Sequence, residues 1–84
     1  MNFRRIAIEL HAHAADLAGT RATSVDVAQE ATGSDVKRAL VERIPALAGL
    51  VRASALATDR EYLSDGTAVA GEEKLHLIPP VSGG

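Results

Sequence analysis

The residues with the plainest chemistry stand at the end of the chain, which closes Pro79-Pro80-Val81-Ser82-Gly83-Gly84. Glycine has no Cβ, so a tip made of Gly83 and Gly84 passes a channel too narrow for side chains, and another enzyme can reach its carboxylate. That carboxylate has an unperturbed pKa of roughly 3.5, so at neutral pH it is an anion and a poor electrophile. Acyl chemistry on Gly84 therefore requires prior activation. Extended at ~3.3 Å per residue, the run from Pro79 to Gly84 reaches on the order of 20 Å, enough to enter a buried site. The two prolines stiffen its base and lower the entropy lost on threading.

Other reactive side chains offer less. His11 and His13 stand two apart, and with His76 on a neighbouring strand they would make a three-histidine metal site conceivable. Solvated surface histidines account for them more simply, because His13 falls beyond the expected strand end; no bound metal is expected. Ser24, Ser34, Ser54, Ser64 and Ser82 stand in no nucleophile motif with a histidine. Gly19, Gly33, Gly49, Gly66 and Gly71 lack phosphate-loop spacing. Cysteine is absent, which removes disulfides, thiolate metal sites and cysteine nucleophiles together. No active site made of this chain's own side chains is expected.

Composition narrows the partners. Phe3 and Tyr62 are the aromatic residues, so base stacking has no platform, and a net charge of −2 disfavours binding to a phosphate backbone. Arg4, Arg5, Lys37, Arg38, Arg43 and Arg52 are interspersed with Glu30, Asp35 and Glu42, which describes a mixed polar face. No apolar run approaches the ~20 residues that span a bilayer, and the first residues do not resemble a signal peptide. Neither nucleic acid nor membrane is expected as a partner; another protein is, in the cytoplasm.

The elements that must position the tail can be read from hydrophobic period. At 84 residues, with 46% hydrophobic and 24% charged, the chain suits one domain with a modest core. Arg5 to His11 alternates, with Ile6, Ile8 and Leu10 on one side, as a half-buried strand does. Ala12 to Ala18 predicts a short helical turn closed by Gly19. Val25 and Val27 alternate within a second strand, Thr23 to Ala28, antiparallel to the first. Ser34 reads as the N-cap of the main helix, with Asp35 at the positive end of its dipole and Val36, Leu40 and Ile44 along one face. Pro45 opens a second, shorter helix to Val51 that uses Leu47 and Leu50.

Further on, Arg52 to Thr58 and Arg60 to Leu63 predict two short strands about the turn at Thr58-Asp59. Lys74 to Ile78 predicts a last strand with Leu75 and Leu77 inward, and His76 and Ile78 outward. Ile78, an aliphatic residue facing out beside the tail, is a candidate partner anchor. The sum is an α+β domain over 1–78, a mixed sheet of about five strands on one main helix, followed by an extended tail, 79–84. A crossover through the helix would set strands parallel at the sheet centre.

These residues resemble the ubiquitin-like (β-grasp) sulfur carriers, and within them the small subunits of molybdopterin synthase. The match is strongest in Leu77-Ile78-Pro79-Pro80-Val81-Ser82-Gly83-Gly84, where proline pair, spacer and glycine doublet occur together. Ala14-Ala15-Asp16-Leu17-Ala18-Gly19 is similar to the family's segment after its first strand, and Arg60-Glu61-Tyr62 to its short fourth strand. The sequence departs from the family at Asp59, often asparagine there, and at Ala70-Gly71-Glu72-Glu73, where an acidic-glycine turn is usual.

The resemblance implies a β-grasp fold with a flexible Gly-Gly tail and a non-catalytic, sulfur-donating subunit. An E1-like adenylating enzyme would use ATP to convert the Gly84 carboxylate to an acyl-adenylate, and a sulfur donor protein would displace the nucleotide to give a thiocarboxylate. Pro79, Pro80, Val81, Ser82 and Gly83 would thread into the large synthase subunit, where sulfur is added to a cyclic pyranopterin to build the molybdopterin dithiolene. No cofactor would be bound stably, and the working synthase would be a heterotetramer. Other destinations for the sulfur stay open: thiamine thiazole, a thiolated tRNA base, cysteine synthesis, or conjugation to protein lysines. So does a passive β-grasp binding module.

Overall fold

The computed structural model describes residues 2–69 and 74–80. The order of elements is β1 (Phe3–Leu10), α1 (His13–Ala18), β2 (Ala22–Ala28), α2 (Gly33–Arg43), a 3-10 turn (Pro45–Leu47), α3 (Ala48–Val51), β3 (Ala55–Ala57), β4 (Tyr62–Leu63) and β5 (Lys74–Ile78). The strands form one sheet in the order β2-β1-β5-β3-β4. β1 pairs antiparallel with β2 and parallel with β5, while β5 pairs antiparallel with β3. The expected parallel pair thus occupies the sheet centre and joins the two ends of the chain.

One face of the sheet is apolar and carries α2. Ile6, Ile8, Leu10, Val25, Val27, Leu56, Leu75 and Leu77 point into a core completed by Val36 and Leu40 of α2, by Leu47, and by Val51. Each of the larger side chains contributes roughly 1.5–3 kcal/mol by leaving water. Leu77, wholly buried, lies between Leu10 on β1 and Leu56 on β3. The inward assignment of Leu75 and Leu77 is therefore correct.

Several boundaries differ from the sequence reading: β1 spans Phe3–Leu10 rather than Arg5 to His11, β2 starts at Ala22, and α2 ends at Arg43, before Ile44. Ser34 is not the N-cap of the main helix; Thr32 is. The Thr32 hydroxyl accepts the Asp35 amide at 3.4 Å, and the Asp35 carboxylate accepts the Thr32 amide at 3.0 Å. This reciprocal pair satisfies two helix-end donors, which a cap at Ser34 would leave to solvent. The earlier start needs Gly33 at the first helical position, because a Cβ there would lie 2.8 Å from the Ser64 carbonyl oxygen. Segment 64–69 crosses this helix end: Gly33 and Ser34 amides donate to the Thr67 and Asp65 carbonyls, and the Val69 amide donates to Ala31. Asp65-Gly66 is thus part of a clamp.

The third and fourth strands are shorter than Arg52 to Thr58 and Arg60 to Leu63. Arg52 to Ser54 instead close α3, whose Leu50 carbonyl accepts from the Ala53 amide and, at 2.6 Å, from the buried Ser54 hydroxyl. Thr58 caps the turn to β4 by accepting the Arg60 and Glu61 amides.

Candidate functional site at the root of the tail

Val81, Ser82, Gly83 and Gly84 lie outside the described residues; Ile78, Pro79 and Pro80 form the root that carries them. β1 ends at Leu10, opposite Leu77, so Ile78 keeps one strand neighbour, Ala55 of β3. The chain therefore leaves the sheet at its centre, held on both sides up to Leu77 and on one side at Ile78. Pro79 and Pro80 then have no amide hydrogen to continue the ladder. Ile78 and Pro79 are half-buried and Pro80 is exposed. Ile78 faces away from α2 as expected, although its partial burial makes it less open than a fully exposed anchor.

The sheet face opposite α2 carries a row of residues in register: Glu9, His76, Ala57 and Tyr62, one from each of four adjacent strands. Tyr62 is 69% exposed on this face. His11 follows Glu9 by two positions and joins the row at its end. The His11 Nε2 and His76 Nδ1 atoms are 2.9 Å apart, and the Glu9 carboxylate stands 3.0 Å from His76 Nδ1 and 3.6 Å from His11 Nε2. On its other side His76 Nε2 meets Asp59 Oδ1 at 2.6 Å. That hydrogen bond, foremost, holds the Asp59 carboxyl below its usual range. An ionised carboxylate only accepts, so His76 Nε2 carries the hydrogen and donates it.

The structure therefore brings together two of the three histidines flagged in the sequence and excludes the third. His13 opens α1 and is exposed, outside the group. Glu9 takes its place, and Asp59 joins through the hairpin from β3 to β4. Neither was a candidate ligand in the sequence. The alternation that puts Glu9 and His11 on one face was legible there, but the register that sets His76 opposite Glu9 was not.

The basic residues do not make a docking patch. Arg4 donates to the Val69 carbonyl, Arg5 pairs with Asp26 at 3.1 Å, Lys37 with Asp65 at 2.9 Å and Arg38 with Asp35 at 3.6 Å. No helix among the described residues is long and apolar enough to cross a membrane.

A mixed five-stranded sheet wrapped on one helix, with parallel first and last strands at its centre and a tail issuing from the last, defines a ubiquitin-like β-grasp protein. Comparison with known proteins narrows the class. The ThiS family profile matches residues 8–84, and the chain belongs to that family. Two curated relatives carry the name molybdopterin synthase sulfur carrier subunit. That of Caenorhabditis briggsae is 33% identical over 70 residues, covering 81% of this chain and 83% of the relative. That of Caenorhabditis elegans is 30% identical over 73 residues, covering 84% and 87%.

Among solved structures, small archaeal modifier protein 1 of Haloferax volcanii superposes with a TM-score of 0.80 at 33% identity, covering 92% of this chain and 98% of that one. The solution structure of the same-named protein from Methanosarcina acetivorans reaches 0.74 at 18% identity over the full length of both chains, a likeness of fold.

Proposed function

We propose that this protein is a sulfur carrier of molybdopterin synthase, acting through its terminal glycine. The observation that carries the reading is the match to the ThiS family over residues 8–84 together with relatives named as sulfur carrier subunits of that synthase. The geometry of the root supports it: β5 is fixed at the sheet centre, and the proline pair that follows cannot continue its ladder.

In this reading the Gly84 carboxylate attacks the α-phosphate of ATP on an E1-like enzyme, releasing pyrophosphate and forming an acyl-adenylate. Sulfide-level sulfur from a donor protein then displaces AMP: the Gly84 C–S bond forms as the C–O bond to AMP breaks, which leaves a thiocarboxylate. Val81, Ser82 and Gly83 thread the tip into the large synthase subunit, with Ile78 at the contact. There the thiocarboxylate sulfur bonds to a cyclic pyranopterin, and water then cleaves the Gly84 C–S bond and restores the carboxylate. Proton transfers on the pterin belong to the large subunit, and ATP to the activating enzyme; the fold of this chain supplies reach, slimness and a rigid base.

Mass spectrometry of the intact chain and its C-terminal fragment tests this after incubation with an E1-like enzyme, ATP and a sulfur donor. One oxygen at Gly84 should be replaced by sulfur, and the fragment separates this from oxidation of Met1, which adds almost the same mass. Incubation of the thiocarboxylate with the large subunit and pyranopterin should then yield dithiolene. An unmodified terminus would leave a passive binding module. A second reading, conjugation of the same tail to protein lysines, is favoured by the similarity to small archaeal modifier protein 1; isopeptide-linked Gly84 in tryptic digests would identify it.

A further inference from the structure

We infer that Glu9, His11 and His76 form a binding site for a divalent first-row cation, zinc being the best fit, with Asp59 orienting His76. The three ligand atoms, His11 Nε2, His76 Nδ1 and Glu9 Oε2, make a triangle with sides of 2.9, 3.0 and 3.6 Å. A point equidistant from all three in their plane lies about 1.9 Å from each, so an ion about 2.0–2.1 Å from each sits just above that plane, as in a tetrahedral zinc site. The imidazole centroids are 5.1 Å apart. Two histidines on one tetrahedral zinc place theirs about 5 Å apart, given Zn–N of about 2.0–2.1 Å.

Chemistry and access agree with the distances. Two imidazoles and one carboxylate form a donor set that suits zinc, leaving a fourth position for water or a partner's ligand. With its Nε2 hydrogen donated to Asp59, His76 can offer the Nδ1 lone pair to an ion shared with Glu9. Asp59 on Nε2 is the carboxylate–histidine contact that fixes tautomer and ring orientation around ligating histidines. The side chains of Glu9 and His11 are 41% and 43% exposed, so an ion can enter from solvent, while His76, at 15%, is held in place.

The backbone beside His11 is held in an unusual conformation. Ala12, directly after His11, has φ 51° and ψ −124°, the one positive-φ non-glycine residue among those described. The Ala14 amide donates to the His11 carbonyl across this turn, so the fold holds a strained turn where it presents His11. An ion here would tie β1 to β5 two residues before Ile78, at the strand that carries the tail. The site does not depend on the sulfur-carrier reading.

Cobalt and zinc binding to the untagged full-length protein tests it. Cobalt should produce d–d bands of tetrahedral or five-coordinate intensity that saturate at one equivalent, and zinc should displace it. His11→Ala and His76→Ala should each weaken binding more than ~10-fold, and Asp59→Asn about 10-fold or more, as loss of an orienting carboxylate does. His13→Ala should leave it unchanged. In nitrogen-detected spectra of the wild-type imidazoles, zinc should shift His76 Nδ1 and His11 Nε2, a readout that needs no variant to fold. Absence of saturable binding at ~100 µM metal, equal affinity in the His11→Ala variant, or zinc shifts confined to His13 would each overturn the site.

Discussion

Leu10 and Leu77 lie abreast on neighbouring parallel strands, both buried, and they mark the last point at which the chain is held from both sides before the tail begins. One residue, Ile78, thus separates the core from the first proline of the tail. Leu77→Ala should cost about 2–5 kcal/mol, the range for emptying a buried leucine site, measured by urea denaturation. Ile78→Ala, on the opposite face and half-buried, should cost clearly less while weakening partner binding. Equal losses of stability in the two variants would contradict the division between core and docking faces.

Gly33 gives a second expectation. A methyl group there would stand 2.8 Å from the Ser64 backbone oxygen, and backbone on both sides leaves little room for adjustment. Gly33→Ala should therefore destabilise by about 1–3 kcal/mol, the usual cost of overpacking, despite alanine's higher helix propensity. Hydrogen exchange should show the loss concentrated at the Gly33, Ser34 and Val69 amides, which bridge helix and clamp. A neutral or stabilising result would show that segment 64–69 is not held against the helix end.

Acid should act through Asp35. Hydrogen bonds from the Thr32 backbone and then its side chain, with Arg38 adding a smaller attraction, hold this carboxyl below its usual range. The folded state therefore prefers the ionised form. Its contribution is complete above the unfolded value of about 3.9 and is lost as pH falls through the lower folded value. Wild type should exceed Asp35→Asn in stability at neutral pH, with the gap closing as the medium is acidified below the ordinary carboxylate range. A gap that stays constant throughout would mean that the charge of Asp35 plays no part in capping α2.

Ala12 occupies a turn position that favours glycine. Relief of strain of order 1–3 kcal/mol, set against about 0.5–1 kcal/mol for the greater entropy of glycine, gives an expected net gain of about 1 kcal/mol for Ala12→Gly. Thermal unfolding would register it as a higher midpoint; a lower midpoint would show that the turn is not strained in alanine.

Deletion of Gly83 and Gly84 separates the tail from the fold. Among the described residues, the apolar cluster draws on the sheet, the helices and Val69 of segment 64–69. The midpoint of thermal unfolding should stay within experimental error while sulfur transfer is abolished. A large shift in the midpoint would assign the tail a structural role.

Much of this molecule is written in local pattern. Alternation along Ile6, Ile8 and Leu10, along Val25 and Val27, and along Leu75 and Leu77 specifies the inward face of three strands, since side chains of a strand alternate between two faces whatever its neighbours do. Gly19 closes α1 with φ 74°, a conformation glycine adopts without a Cβ penalty. The Pro-Pro and Gly-Gly tail needs no partner element to be recognised. The choice of Thr32 over Ser34 as helix cap rests on the Thr32–Asp35 pair, three residues apart, and on the distant clamp from segment 64–69, which only the fold brings to that helix end. The Glu9, His11, His76 and Asp59 cluster depends likewise on the parallel register of β1 with β5 and on where the β3–β4 hairpin sets Asp59. The sequence by itself determined the inward faces of three strands and the glycine stop of α1, because each is set by a few adjacent residues. Tertiary structure alone decided which distant side chains meet, because strand register comes from packing the whole apolar face at once.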